Sequence, residues 1–302
     1  MPHNETLKVA SAQYPIGQPK SLAAWEDKIA LWVKTGAATG AQLLVFPEYA
    51  AIEQAAAFGP EVYGDLKLTL AKVAELAEAR VALHAALAKA HGVHILVGSG
   101  PVRKPDGGYV NSAQFVTPHG KASEQEKLVM TPFERDWGIS AGGQVRVFKT
   151  AIGTFGIAIC YDSEFPLLVH AMAEAGASVV LVPSCTERIS GYHRVRTGSM
   201  ARALENTIAT VQSPTVGDAP WSPAVDFNTG SAGIYVPSEH GVSDTGVLAE
   251  GSLNAAQWVS AVIDVARLRR ARETGEMRNA HDWALQPGAP AAQVAVETVD
   301  LT

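Results

Sequence analysis

An α/β fold built largely on parallel strands is the class this sequence predicts, and three observations predict it. Apolar, β-prone runs alternate with helical stretches along most of the chain. Each such helix separates two strands, the arrangement from which parallel sheets are built. The 302 residues are 47% apolar, ample for one large core. No linker, internal repeat or low-complexity tract divides the chain, so one domain over 1–302 is expected, with a core at about 8–264 and a C-terminal helix and tail at 265–302.

Taken in order, strands at 7–14 (LKVASAQY) and 42–46 (QLLVF) flank an amphipathic helix at about 21–39. A strand at 93–99 (VHILVGS) follows a long Ala-, Leu- and Lys-rich helix from about 61 to 91. A hairpin comes next: 109–116 (YVNSAQFV) and 121–130 (KASEQEKLVM) are joined by TPHG, and PDGG precedes the first strand. Then follow strands VRVFKT and TFGIAIC, a helix at about 165–175, the strand SVVLVPS, a helix at about 192–206 and the strand TIATVQSP. The strand habit returns in SAGIYVP, GVLAEG and WVSAVID before a charged helix and a Pro/Ala-rich segment. GSG at 98–100 reads as a turn, because neither a following helix nor a GK[ST] completes a phosphate loop.

Composition excludes several classes of partner. With a formal net charge of −6 the chain offers no basic field for a nucleic acid or an anionic membrane, which points to small partners. ARLRRARE is basic but carries glutamate and reads as a solvated helix. The opening MPHNETLKVASAQYP lacks the basic and apolar regions of a secretory leader, and no apolar run has the length of a bilayer span, so a cytoplasmic location is expected. Two cysteines, Cys160 and Cys185, make no disulfide framework, and neither they nor the nine histidines have metal-site spacing. No metal and no cofactor are expected.

The chemistry concentrates at FGIAICYDSEFP. An apolar strand ending on Cys160 and turning into polar residues places the thiol where open α/β sheets keep their ligand crevice. Either the sulfur is a nucleophile, with the Tyr161 N–H as oxyanion donor, or it is a buried core cysteine. A nucleophilic thiol needs a base or a cation beside it, since its ordinary pKa is about 8.5. Glu48, directly after LLVFP, and Lys127, near the end of a hairpin strand, are the charged candidates at other strand ends. Alone, each has a plain alternative: a helix cap for Glu48, a solvated edge-strand residue for Lys127.

Together, and with their surrounding words, they resemble the nitrilase, or carbon–nitrogen hydrolase, superfamily. The words VASAQYPIG, LLVFPE, YVNSAQFVTPHGK, EKLVMTPFER, FGIAICYDSEFP, ASVVLVPS and ARALENTIATVQSP occur in the family's order over about 8–264. The resemblance implies a four-layer αββα sandwich and a homodimer or higher homo-oligomer formed through the outer helices. It also implies a Glu48–Lys127–Cys160 triad. Lys127 would favour the thiolate, and Glu48 would take the thiol proton and later activate water. The oxyanion would lie between Tyr161 N–H and Lys127. Glu134 matches a second glutamate that steers substrate or water in many members; its alternative is a partner for Arg135.

Further residues concern the substrate pocket. Tyr49 and Trp137 either wall it or belong to the core, and Cys185 ends another strand as a non-catalytic thiol near the cleft. Relatives that cleave N-carbamoyl amino acids carry arginines just after the cysteine, where this chain has Ser163 and Glu164. Unless Arg188 or Arg194 takes over, a neutral or cationic amide is expected. Glu164 either binds an amine or, as the first residue of a helix, favours the helix dipole. The expected activity is hydrolysis of a small aliphatic or ω-amide to ammonia and a carboxylic acid. The alternatives are a nitrilase, an N-carbamoyl amidohydrolase, a cysteine–histidine hydrolase using His91, His94 or His193, and a silent binding protein. Nitrile-cleaving relatives tend to have tryptophan where Tyr161 stands.

Overall fold

The computed structural model describes residues 5–287 and 294–302. Part of the Pro/Ala-rich segment, 288–293, therefore lies outside the described residues. The first half of the chain forms β1 (Thr6–Pro15), α1 (Leu22–Ala38), β2 (Leu43–Val45), α2 (Pro60–Tyr63), α3 (Leu66–Glu75), α4 (Ala77–His91), β3 (His94–Arg103), β4 (Tyr109–Val116) and β5 (Ala122–Glu126). Then come α5 (Pro132–Asp136), β6 (Ile139–Ser140), β7 (Val145–Thr150), β8 (Gly153–Ile157), α6 (Pro166–Glu174), β9 (Val179–Ser184), α7 (Ile189–Asn206) and β10 (Ala209–Val216). The remainder is β11 (Gly233–Tyr235), β12 (Val247–Glu250), β13 (Gln257–Asp264), α8 (Val265–Thr274), α9 (Asn279–Asp282) and β14 (Val296–Asp300).

Pairing divides these strands into two sheets. The first runs β13-β1-β2-β3-β4, with β5 and the short β6 both on β4. The second runs β14-β7-β8-β9-β10-β11-β12. They meet at one corner, where Tyr14 and Pro15 of β1 pair in parallel with Thr215 and Val216 of β10.

Burial gives the layer order. Leu7, Val9, Leu43, Val45, Leu96 and Phe115 of the first sheet share one buried cluster with Val147, Phe155, Ile157, Leu181 and Val211 of the second. This is the layer between the sheets. The opposite side chains of the first sheet, Ala10, Leu44, Phe46, Ile95 and Val97, pack with Trp25, Ile29 and Val33 of α1, Leu70 of α3 and Ala88 of α4. Val169 and Met172 of α6, Val195 of α7 and Leu268 of α8 join the second sheet. The result is the αββα sandwich that the resemblance implies, within the α/β class that the alternation of elements predicts.

Several boundaries differ from the sequence expectation for local reasons. The helix expected over about 61–91 is three helices. Gly64 closes α2, and Asp65, in extended conformation, accepts from Leu68 N–H and starts α3. A second break at Leu76 lets α3 bury Thr69, Leu70 and Val73 and α4 bury Arg80, His84 and Ala88. GSG at 98–100 is no turn but the middle of β3. A Cβ on Gly98, at φ +85°, would sit 2.3 Å from the Pro47 carbonyl oxygen, and one on Gly100 would sit 2.5 Å from Ala51 Cβ, so the glycines let the segment after β2 cross close over β3. The tail, expected to hold no strand, contributes β14, whose VETVD pairs in parallel with β7.

Candidate active site

Three strand ends supply the polar groups. β2 stops at Val45, and Tyr49, in the left-handed region at φ 55°, turns the chain after Glu48. The Tyr49 N–H donates to Ser99 Oγ at 3.2 Å, so β3 fixes that turn. β5 stops at Glu126, and Lys127 N–H donates to the Asn111 carbonyl of β4 at 2.8 Å. β8 stops at Ile157, short of the cysteine. Cys160 instead opens a 3₁₀ turn, Cys160–Glu164, at φ 48°, a strained conformation for a non-glycine residue. Asp162 steadies that turn: its carboxylate accepts from Ile159 N–H at 3.3 Å, Leu128 N–H at 3.2 Å and Val129 N–H at 2.8 Å. One buried aspartate thus ties the segment after Lys127 to the turn that carries the thiol.

The side chains converge. Lys127, 1% exposed, donates to Glu48 Oε1 at 2.7 Å and to Glu134 Oε2 at 2.6 Å. Asn111 Nδ2 bridges the same two carboxylates, at 3.0 Å from Glu48 Oε1 and 3.1 Å from Glu134 Oε1. Glu48 Oε2 accepts from the Cys185 N–H at 3.0 Å. Glu134 also accepts from Tyr49 OH at 2.8 Å and from Thr131 N–H and Oγ1 at 3.0 and 2.9 Å. The two carboxylates are thus fully hydrogen-bonded, the condition under which buried charge is tolerated. The Cys160 thiol donates to the Cys185 carbonyl at 3.8 Å.

Electrostatics separates the roles. Burial alone would lower Lys127, but Glu48 and Glu134 reverse this and raise it, so it stays an ammonium. Burial raises Glu48 above the ordinary carboxylate range despite the opposing pull of Lys127. Glu134 is also buried, yet Lys127 and the Thr131 and Tyr49 hydrogen bonds hold it low. Burial pushes the Cys160 thiol well above its ordinary value, the Glu48 charge adds to this, and Lys127 opposes both without prevailing. Lys127 thus acts in the expected direction, favouring the thiolate, while burial and the Glu48 charge act against it.

Ten of the residues singled out in the sequence line one cavity of about 600 Å³: Glu48, Lys127, Cys160, Tyr161, Glu134, Tyr49, Trp137, Glu164, Cys185 and Arg188. Tyr49 and Trp137 face each other with ring centroids 5.8 Å apart. Lys127 is no solvated edge residue, and Glu134 pairs with Lys127 instead of Arg135. Glu164 is not the first residue of a helix; it ends the 3₁₀ turn, with Phe165 as cap and Pro166 opening α6, and its carboxylate meets Arg194 at 3.2 Å. Arg188 is 80% exposed and lies 3.6 Å from Glu187. Ser163 is buried and donates to the Cys160 carbonyl at 2.6 Å, outside the cavity lining. His91, His94 and His193 are absent from that lining too, which removes the geometry a cysteine–histidine pair needs. His94 packs on Phe115 with burial lowering it to about 4.

Three contributions escaped the sequence reading: the Asn111 bridge, the Asp162 staple and the Cys185 backbone. A polar residue at an inward position of YVNSAQFV is the one signal that points to Asn111. The 223–227 stretch supplies one wall, with Phe227 and Asp226 at its edge, and 50–63 supplies none of the lining.

The carbon-nitrogen hydrolase family model matches residues 8–272. A probable hydrolase of Bacillus subtilis, YhcX, is 35% identical over 282 residues, covering 91% of this chain and 53% of that protein. The chain spans about half the length of the curated relatives it matches. A carbon-nitrogen hydrolase from Helicobacter pylori superposes with a TM-score of 0.73 at 19% identity, over 90% of this chain and 93% of that one. A glutamate-to-glutamine mutant of an amidase from Nesterenkonia sp. AN1 superposes at 0.66 with 22% identity, over 88% and 94%. That structure shows covalent addition of the acetamide moiety of fluoroacetamide at the active-site cysteine. From the family-model match along nearly its whole length, this chain belongs to the carbon–nitrogen hydrolase family.

Proposed function

We propose that the protein hydrolyses the C–N bond of a small amide through a thioester on Cys160. The observation that carries the reading is the buried Glu48–Lys127–Glu134 chain in the same cavity as the Cys160 thiol. Glu48 takes the S–H proton as the sulfur adds to the amide carbonyl carbon. The oxyanion that forms rests on the Lys127 ammonium and the Tyr161 N–H. On collapse the C–N bond breaks, Glu48 returns the proton to the departing nitrogen, and ammonia leaves. Water enters, Glu48 removes its proton, the hydroxyl adds to the thioester carbon, and the carboxylic acid departs as sulfur regains its proton. Glu134 holds Lys127 between two carboxylates throughout. The raised pKa of Glu48 suits this alternation, since general acid–base catalysis is most efficient with a pKa near the working pH.

The test is intact mass spectrometry of wild type, Glu48→Gln and Cys160→Ala, each incubated with simple aliphatic amides, alongside an ammonia assay. Wild type is expected to release ammonia. The Glu48→Gln protein should lose roughly 10²–10⁴ in turnover and retain an acyl mass on Cys160, while Cys160→Ala acquires none. An adduct mapped to Cys185, or full activity without the Glu48 carboxylate, overturns the assignment.

A further inference from the structure

The mouth of the cavity carries a charge pattern that the chemistry at its floor does not use. Arg194 is matched by Glu164 at 3.2 Å, and Arg188 by Glu187 at 3.6 Å. Neither arginine is left over to grip a substrate carboxylate, and Arg188, at 80% exposure, is not held in place for one. At the floor, one lysine serves two glutamates. The remaining charge in the lining is Asp226, which belongs to no ion pair among the described residues. Its carboxylate accepts from the N–H of its own neighbour Phe227 at 3.0 Å, leaving most of its acceptor capacity open. The cavity thus holds five carboxylates against three cations, and walls of low dielectric focus such an excess.

Aromatic surface lies at the same mouth. Phe133 and Phe227 are 64% and 50% exposed, and both line the cavity. Aromatic faces beside an uncompensated carboxylate attract organic cations. We infer that the rim binds an ammonium, so that the preferred substrates are amides with a positively charged amine at the far end of the acyl chain, held by Asp226. The inference rests on the amidase reading above and narrows it. It also moves the amine-binding role away from Glu164, whose charge Arg194 already engages.

Three compounds of similar length separate the possibilities: ω-aminohexanamide, heptanamide and adipamate, which end in an ammonium, a methyl and a carboxylate. For wild type, kcat/KM is expected to favour the cation over the uncharged compound by about tenfold, as one charge-assisted contact warrants, with the anion poorest. In Asp226→Asn the ratio of cation to uncharged compound should fall to within about twofold, chiefly through KM. Calorimetric binding to Cys160→Ala reads the same order without turnover. If that order appears and no compound yields ammonia, the ammonium site stands and the hydrolase reading fails. If all three are cleaved without preference for the cation, or Asp226→Asn keeps the tenfold ratio, the ammonium site is wrong and the hydrolase reading survives.

Discussion

Asn111 shows how the candidate site depends on a group with no charge of its own. Its amide nitrogen donates to both glutamates that flank Lys127, which spaces two like charges around one ammonium. The pH response follows from the same cluster. Glu134 lies low, so its contribution to stability is complete above the unfolded value of about 4.3 and is lost only as pH falls through its lower folded value. Lys127 lies high, so its contribution is present below about 10.4 and is lost as pH rises through its higher folded value. Glu48 is raised, and protonating it on the acid side favours the fold while removing the proposed base. Activity should therefore fall reversibly on the acid limb at a pH above that of an ordinary carboxylate, while near-ultraviolet circular dichroism keeps its native form. Coincident loss of signal and activity would contradict this. Glu48 was legible in the sequence because it follows the apolar LLVFP, Lys127 because it lies near the end of a hairpin strand, and Glu134 through the family resemblance. Asn111 and Asp162 were not, because their partners are backbone and side-chain groups at sequence separations of 23 to 63 and 3 to 34 residues.

Elements were read most accurately where one apolar period runs unbroken and least where a cap interrupts it. β9, α7 and β10 fall within a few residues of their expected limits. The Ala-rich run before β3 hides a cap at Asp65, and β8 ends before Cys160 because the Asp162 carboxylate draws the chain into a 3₁₀ turn. Gly98 is the element-level counterpart: within β3, it permits the crossing that delivers Glu48. Gly98→Ala combines a left-handed φ with a contact of 2.3 Å to the Pro47 carbonyl. It is expected to cost about 1–3 kcal/mol in urea unfolding and to lower turnover more than Glu48-independent substrate binding. An unchanged midpoint would mean that the crossing yields without strain.

At the scale of the molecule, the alternation of strands and helices predicted the α/β class and the family resemblance implied the sandwich, while the way the sheets join and close was not foreseeable from local pattern. β1 belongs to the first sheet for most of its length and reaches the second only through its last two residues. β14 closes the far edge by pairing with β7, with Arg146 meeting Glu297 at 2.7 Å, Leu301 N–H donating to the Lys149 carbonyl at 2.7 Å and Leu301 buried. Deleting 294–302 should uncover that edge. The expected loss is about 3 kcal/mol, from the burial of Leu301 and the partly buried valines, with added aggregation from the open strand. Chemical denaturation and light scattering would measure both, and equal stability of the shortened chain would show the edge needs no cover.

Lys127 at 1% exposure has one more consequence. Mobile counter-ions cannot approach an ammonium enclosed by two glutamates and an asparagine, whereas Asp226 faces bathing electrolyte at the rim. The proposed bond cleavage and the proposed substrate preference within one hollow should therefore answer differently to ionic strength: the first insulated from it, the second fading as it rises.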